Sequence, residues 1–389
     1  MEGAAGAGRG RPRPPGRRRE RAAGPDVTPS RADVRAEAAR LVAAFVRAGA
    51  EPLEADILLP ADVLLDLYGE DIRARAFTTR DADGSERMLR PDFTVPVVQM
   101  HMADGAAPAR YAYAGEVFRR QEAMPGRAAE YVQAGFELFD EGDPAAADAE
   151  VFALFRQILA PLELRVATGD IGILAAAVRG LGASDRRKAA LMRHIWRPRR
   201  FRRLLDRFAG AVPPPPGRAE ILAAADPLAG AGPAIGLRSR DEVLARLEVL
   251  RQDAEEPPLP AAQVGILDDI LDIRGGATGA LERLRDFAVD LPSLDPAIDR
   301  LTARLDALSD RGVDIATLEF EASYGRTSME YYDGFVFGFY AEGRPDLPPV
   351  ATGGRYDALT RVLGGGRAIP AVGGVIRPGL TLALSEVAE

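Results

Sequence analysis

The chain has 389 residues, room for about two to three domains at roughly 150 residues each, and its 47% hydrophobic and 28% charged residues exclude a wholly disordered protein. There is no cysteine and the only histidines are His101 and His194, so disulfides, thiolate metal sites and cysteine nucleophiles are excluded, and metal or Ser-His chemistry has little to build on. A net charge of −8 opposes a long polyanion such as tRNA unless positive charge is concentrated locally.

Residues 1–30 are rich in Gly, Ala, Pro and Arg without apolar periodicity, and are expected to be a disordered tail. From Ala32 to Gly49 apolar residues recur at helical spacing, among them Val34, Ala38, Leu41, Val42, Phe45 and Val46. Strands are expected at Asp56–Leu59, Glu86–Leu89, Ala109–Phe118 and Glu130–Phe139, then a helix over Ala145–Leu159 opened by Asp143 and Pro144. Leu162–Thr168 reads as a further strand and Ile171–Val178 begins a helix. Residues 183–294 change to short helical stretches broken by Pro213–Pro216 and by Glu256-Pro257-Pro258, the composition of a helical insertion. A helix at Pro296–Arg311, strands at Thr317–Ala322, Phe335–Tyr340 and Pro349–Thr352, and a last helix after the glycines near Gly373 follow. The expected organisation is α+β: a tail (1–30), a core of mixed, largely antiparallel sheet with flanking helices (31–182 and 295–389), and the insertion (183–294). No apolar run of about 18 residues and no apolar block behind a basic N-terminus is present, so a cytoplasmic location without membrane partners is expected.

In Glu130–Phe139 a period of two puts Val132, Ala134, Phe136 and Leu138 on one face, and Tyr131, Gln133, Gly135 and Glu137 on the other. The second face is either a floor for a small polar ligand, with Gly135 as the open spot, or a solvated surface. Phe118-Arg119-Arg120-Gln121-Glu122 through Gly126-Arg127 joins two strands in an arginine-rich loop able to hold a carboxylate or phosphate, or simply to be hydrated. In Leu89-Arg90-Pro91-Asp92-Phe93-Thr94, Asp92 or Thr94 is placed to cap a helix or to face a ligand amine.

Together these segments resemble the catalytic core of the class II aminoacyl-tRNA synthetases, in particular histidyl-tRNA synthetase and its paralogues. Arg90-Pro91-Asp92-Phe93-Thr94 is similar to that family's Arg-Pro-Glu-Gly-Thr, and Pro60 falls at the motif 1 proline. Tyr113 through Arg119, and Gly126-Arg127 to Gln133-Ala-Gly135-Phe-Glu137, match motif 2 and its following strand; Thr352-Gly353-Gly354-Arg355-Tyr356-Asp357 and Glu330-Tyr331-Tyr332 match the two histidyl-specific elements. The resemblance implies that Gln133, Glu137, Tyr332 and Tyr356 surround a histidine side chain while Asp92 and Thr94 hold its ammonium group.

It also implies eroded activation chemistry. The family's catalytic arginine falls on Thr327 with Arg326 beside it, the motif 2 glutamate is Gln121, the next arginine is Glu122, and the adenine-stacking arginine falls on Leu380 with Arg377 three residues earlier. An anticodon-binding domain after motif 3 is not expected. This combination resembles the regulatory-subunit family of ATP phosphoribosyltransferase, without catalytic residues, cofactor or metal. The implied partners are the short catalytic subunit, L-histidine as effector and a second copy in a homodimer inside a hetero-octamer, and no tRNA. A rival reading, a histidine-activating synthetase-like enzyme, would use Arg119, Arg326 and Arg377 as phosphate ligands. A third, nucleic-acid binding, rests on the basic and aromatic stretch Arg193–Arg203, which also reads as an amphipathic helix.

Overall fold

The computed structural model describes residues 29–68, 75–120, 128–233, 235–326 and 331–388. The tail expected at 1–30 therefore lies outside the described residues up to residue 28. Ser30 accepts the Asp33 N–H at 3.2 Å and opens α1 (Arg31–Arg47), which buries Ala38, Leu41 and Phe45. β1 (Glu51–Pro52) and β2 (Leu58–Pro60) precede α2 (Ala61–Tyr68), and β3 (Thr78–Arg80) with β4 (Glu86–Leu89) completes a small sheet of order β2-β4-β3.

Helix α3 (Thr94–Asp104) leads to β5 (Ala109–Phe118) and β6 (Glu130–Phe139), ten-residue strands paired antiparallel from Ala109 opposite Phe139 to Phe118 opposite Glu130. Asp143 accepts the N–H groups of Ala145 and Ala146, both at 3.0 Å, to start α4 (Pro144–Ile158), with Pro144 at a position that needs no donor. β7 (Leu164–Asp170) runs directly into α5 (Ile171–Arg179).

Six helices follow: α6 (Asp185–Arg193), α7 (Pro198–Phe208), α8 (Arg218–Ala223), α9 (Arg240–Glu255), α10 (Ala261–Leu271) and α11 (Ala277–Asp290), with β8 (Arg274–Gly276) before the last. α12 (Asp295–Asp310), β9 (Glu319–Glu321), β10 (Phe335–Ala341), β11 (Ala351–Arg355), α13 (Asp357–Leu363), β12 (Ala371–Ile376) and α14 (Pro378–Ala388) end the described chain.

The main sheet has nine strands in the order β1-β5-β6-β12-β11-β10-β7-β9-β8, antiparallel except for the β1–β5 and β7–β9 pairs. It is the mixed, largely antiparallel sheet with flanking helices that the α+β reading expects. Phe45, Phe136, Phe152, Phe155, Phe337 and Phe339 interlock in its apolar core with ring centroids 5.5 to 6.0 Å apart. Within residues 183–294, β8 pairs with β9 and so belongs to this sheet, and Ile195, Phe201, Leu205, Phe208, Leu267 and Ile270 are buried in the same core.

Among the departures from the expected elements, three bear on the sheet. β12 runs through Gly373 and Gly374 where only glycines before a helix are read, because a strand of Ala-Val-Gly-Gly-Val-Ile carries little period-two signal. The strand expected at Pro349 begins at Ala351, consistent with proline's missing donor. Finally, β6 has no solvated face: from Gln133 to Phe139 both faces are buried.

Candidate functional site

Pairing of β5 with β6 places Tyr113 opposite Gly135. A Cβ at residue 135 would collide with the Tyr113 ring, so the glycine lets this ring lie across the strand. The floor read from the sequence is thus covered by a tyrosine, and its hydroxyl donates to Glu137 Oε1 at 2.8 Å. Thr94, the first residue of α3, donates to the same oxygen at 3.0 Å, and Tyr356 donates to Oε2 at 2.6 Å. Of a carboxylate's roughly four acceptor sites, three are filled, all by neutral hydroxyls. The opposite side of Oε2 lies against Gly373, where any Cβ would overlap it.

Tyr331 extends the cluster, donating to Thr94 Oγ1 at 3.3 Å and standing edge-on to Tyr332 and Tyr356. Asp92, Thr94, Gln133, Glu137, Tyr332 and Tyr356 are all buried, at 1% to 5% exposure. Gln133 Oε1 finds no hydrogen-bond partner among the described residues. Burial pushes the Glu137 carboxyl up to about 7, the three hydroxyls pulling it down and nearby Asp92 adding to the rise. Asp92 is likewise raised by burial, opposed by Arg119, whose Nη2 is 3.9 Å from its carboxylate, and by the N–H groups that open α3. Burial and the Glu137 charge raise the Tyr113 and Tyr356 phenols well above their ordinary range, so both remain hydroxyl donors. Two buried carboxylates with one guanidinium at their rim make a site suited to a small ligand that brings its own cation and N–H donors.

The three arginines considered for an anion have separate partners. Arg119 donates from Nε to Pro91 O at 2.7 Å. Arg377 donates to Pro349 O and stacks on Tyr131, 5.9 Å from the ring centroid. Arg326 turns to the helices after α5: Nε donates to Ile195 O at 2.8 Å and the guanidinium lies 4.8 Å from the centre of the Phe201 ring. Its burial, reinforced by Arg202, lowers its pKa to about 10. Leu380 is partly buried against the apolar core. Gln121, Glu122, Thr327 and Glu330 lie outside the described residues.

A second buried constellation, unread in the sequence, fixes Tyr356. Asp148 on α4 receives Arg304 Nε at 2.7 Å on Oδ2 and Arg355 Nε at 2.9 Å on Oδ1. Arg304 Nη1 also donates to Asp170 Oδ2 at 2.8 Å, and Oδ1 of Asp170 caps α5 through Gly172 N at 2.7 Å. On the other side Arg355 Nη1 reaches Asp357 at 3.0 Å, and Asp333 accepts the N–H groups of Asp357 and Ala358 at 3.0 and 2.7 Å. Arg355 and Asp357 are held from both directions, so the phenol between them is aimed at Glu137. Tyr113 enters the sequence reading only as the first residue of the motif 2 match; a tyrosine opposite a glycine in paired strands is the signal for its place beside Glu137. Among the described residues no group of three or more His, Asp or Glu could hold a metal ion, and no helix is long and apolar enough to cross a membrane.

An antiparallel six-strand centre with a buried cluster of tyrosines and carboxylates at β5, β6, β11 and β12 defines a class II aminoacyl-tRNA synthetase-type core. Structures of the same fold include an ATP phosphoribosyltransferase regulatory subunit/histidyl-tRNA synthetase from Bacillus halodurans (TM-score 0.64, 23% identity, 94% of this chain and 83% of that one). Another is a histidine–tRNA ligase subunit from Alicyclobacillus acidocaldarius (TM-score 0.58, 24% identity, 98% and 99%). The histidyl-tRNA synthetase family profile matches residues 25–233 and 237–378. ATP phosphoribosyltransferase regulatory subunits of Brucella anthropi and Brucella canis are 34% and 33% identical, each over 83% of this chain and 90% of the relative. The chain belongs to the histidyl-tRNA synthetase family, on its branch of ATP phosphoribosyltransferase regulatory subunits.

Proposed function

We infer that the chain is the non-catalytic regulatory subunit of an ATP phosphoribosyltransferase, enabling a short catalytic subunit in the first step of L-histidine biosynthesis and conveying feedback by histidine. The observation that carries this reading is the 33–34% identity to regulatory subunits over nine-tenths of their length. The pocket supports it from the chemical side. Asp92 and Thr94 hold the ammonium of histidine, and Gln133, Glu137, Tyr332 and Tyr356 surround its imidazole. The orphan oxygen of Gln133 and the open acceptor position of Glu137 receive ligand N–H groups. Histidine acts by binding two quaternary states with different affinity and shifting their balance.

The reading excludes adenylate formation, which needs preorganised positive charge on the reacting phosphate; loss of one such donor costs roughly 3 kcal/mol or more of transition-state stabilisation. Arg326, bound to Ile195 O and Phe201, and Leu380, packed in the core, support this. The active form is a homodimer within a hetero-octamer in the cytoplasm.

The test is phosphoribosyltransferase activity of the short catalytic subunit with and without this protein while histidine is titrated, alongside histidine-dependent pyrophosphate exchange on this chain alone. Stimulation that histidine suppresses, with no exchange, is the expected outcome. Exchange without any effect on the transferase would sink the regulatory reading.

A further inference from the structure

Residues 185–208, covering α6 and α7, hold ten arginines and lysines against Asp185 and Asp206, a local charge of +8 in a chain of net −8. Arg202 is neutralised by Asp206 and Asp268, and Arg187 by Asp253 and Glu256. Arg193, Arg199, Arg200 and Arg203 are exposed and carry no ion pair among the described residues. The inner face of the same helices is apolar, with Phe201, Leu205 and Phe208 buried. That face is also tied to the pocket: the Trp196 indole N–H donates to Tyr332 O at 2.9 Å, and Arg326 donates to Ile195 O.

We propose that the arginine face of α6 and α7 docks an acidic surface of the catalytic partner protein, and that Trp196 couples this contact to the ligand pocket through Tyr332. The identity of the partner rests on the regulatory reading above; the surface and its coupling go beyond it. Arginine suits such a contact, being rigid, weakly hydrated and enriched at protein interfaces. Burial first, and then the charges of Arg197, Arg200 and Arg193, hold the His194 pKa below its ordinary value, and an acidic partner eases the repulsion that these arginines add. Single-stranded nucleic acid is a poorer fit, because Trp196 and Phe201, the rings on which bases would stack, are engaged inward.

The test is the association of the full chain with the purified catalytic subunit, followed by calorimetry at low and moderate salt. The triple substitution Arg199→Glu, Arg200→Glu and Arg203→Glu, at exposed positions and checked by its melting curve, should weaken association by about tenfold or more and flatten its salt dependence. Unchanged affinity overturns the docking surface, and so does binding of a short RNA that the triple variant alone loses while partner affinity is kept. If the unsubstituted chain fails to bind the catalytic subunit at all, the regulatory reading itself falls. Trp196→Phe keeps an aromatic side chain and removes the donor; it should leave partner affinity unchanged while shifting the half-inhibiting histidine concentration about threefold or more. An unshifted inhibition curve overturns the coupling.

Discussion

Glu137 and Asp148 are both carboxylates at 1% exposure in the same core, yet they are satisfied in opposite ways. Asp148 is gripped by two guanidiniums, Arg304 and Arg355, both at 2.7 Å. Glu137 receives only hydroxyls, and its pKa rises to about 7. A buried charge with its counter-ion built in is structure, whereas a buried carboxyl met only by neutral hydroxyls is a candidate for pairing with a ligand. The Asp148 cluster binds α4, α5, α12, β11 and α13 together, and the Glu137 cluster is mounted on it through the Arg355-Tyr356-Asp357 triplet.

The sharpest way to break this contrast is Asp148→Asn, which leaves two buried guanidiniums facing a neutral amide. It should cost about 3–5 kcal/mol of folding stability in urea unfolding. A loss below about 1 kcal/mol would mean that the two arginines are not dependent on Asp148. The effect should not depend on histidine.

Glu137 offers a pH test with a defined sign. Its folded pKa of about 7 lies above the ordinary 4.5, so the folded chain keeps a proton that the unfolded chain releases. The associated stability is complete below pH 4.5 and is lost as pH rises through 7, about 3 kcal/mol in all. Asp92, raised by burial, and Asp333, raised to about 7 by burial and Asp357, slope the same way, so the quantity to follow is the difference between wild type and Glu137→Gln. Identical pH–stability curves for the two would show that folding does not shift the Glu137 carboxyl and would contradict this assignment. The same variant should respond weakly to histidine while still assembling with its partner.

Where the two regions were visible beforehand follows from how far their signals reach along the chain. Glu137, Gln133 and their strand stand out because period-two alternation is local, and β5 and β6 have the expected ends, Ala109–Phe118 and Glu130–Phe139. Asp92, Thr94, Tyr332 and Tyr356 were joined to them only through motif resemblance, and they do meet around Glu137 or beside it. The Asp148 network left no such trace: its arginines are 156 and 207 residues away, and a lone aspartate in Ala-Ala-Ala-Asp-Ala-Glu-Val-Phe reads as helix surface. Arg326 was placed one position from a catalytic arginine, but its neighbours are α6–α7 residues that spacing alone could not bring to it.

Tyr356→Phe tests the join between the two regions at smaller scale. It removes the 2.6 Å hydrogen bond to Glu137 Oε2 and leaves the ring packed on Phe139, so about 1 kcal/mol of stability should be lost. With fewer donors pulling it down, the Glu137 carboxyl should titrate at higher pH, and a shift in the opposite direction would contradict the assignment.

The smallest expected effect is that of Arg119→Ala. Its guanidinium is 3.9 Å from Asp92, a quarter exposed, and makes its shorter contact with Pro91 O at 2.7 Å. Removing a partly hydrated charge at that distance is worth about 0.2–1 kcal/mol, so histidine binding should change by less than about fivefold. The direction has two parts. Asp92 loses the cation that holds its pKa down and is less often ionised, which weakens its hold on an ammonium; but when it is ionised, no built-in guanidinium competes with the ligand. The first effect fades as pH rises and Asp92 becomes ionised in either protein. Histidine affinity in Arg119→Ala should therefore fall modestly and recover as pH is raised, a profile that calorimetry across a pH series reads directly. A loss of affinity independent of pH would instead make Arg119 a direct ligand of the histidine carboxylate.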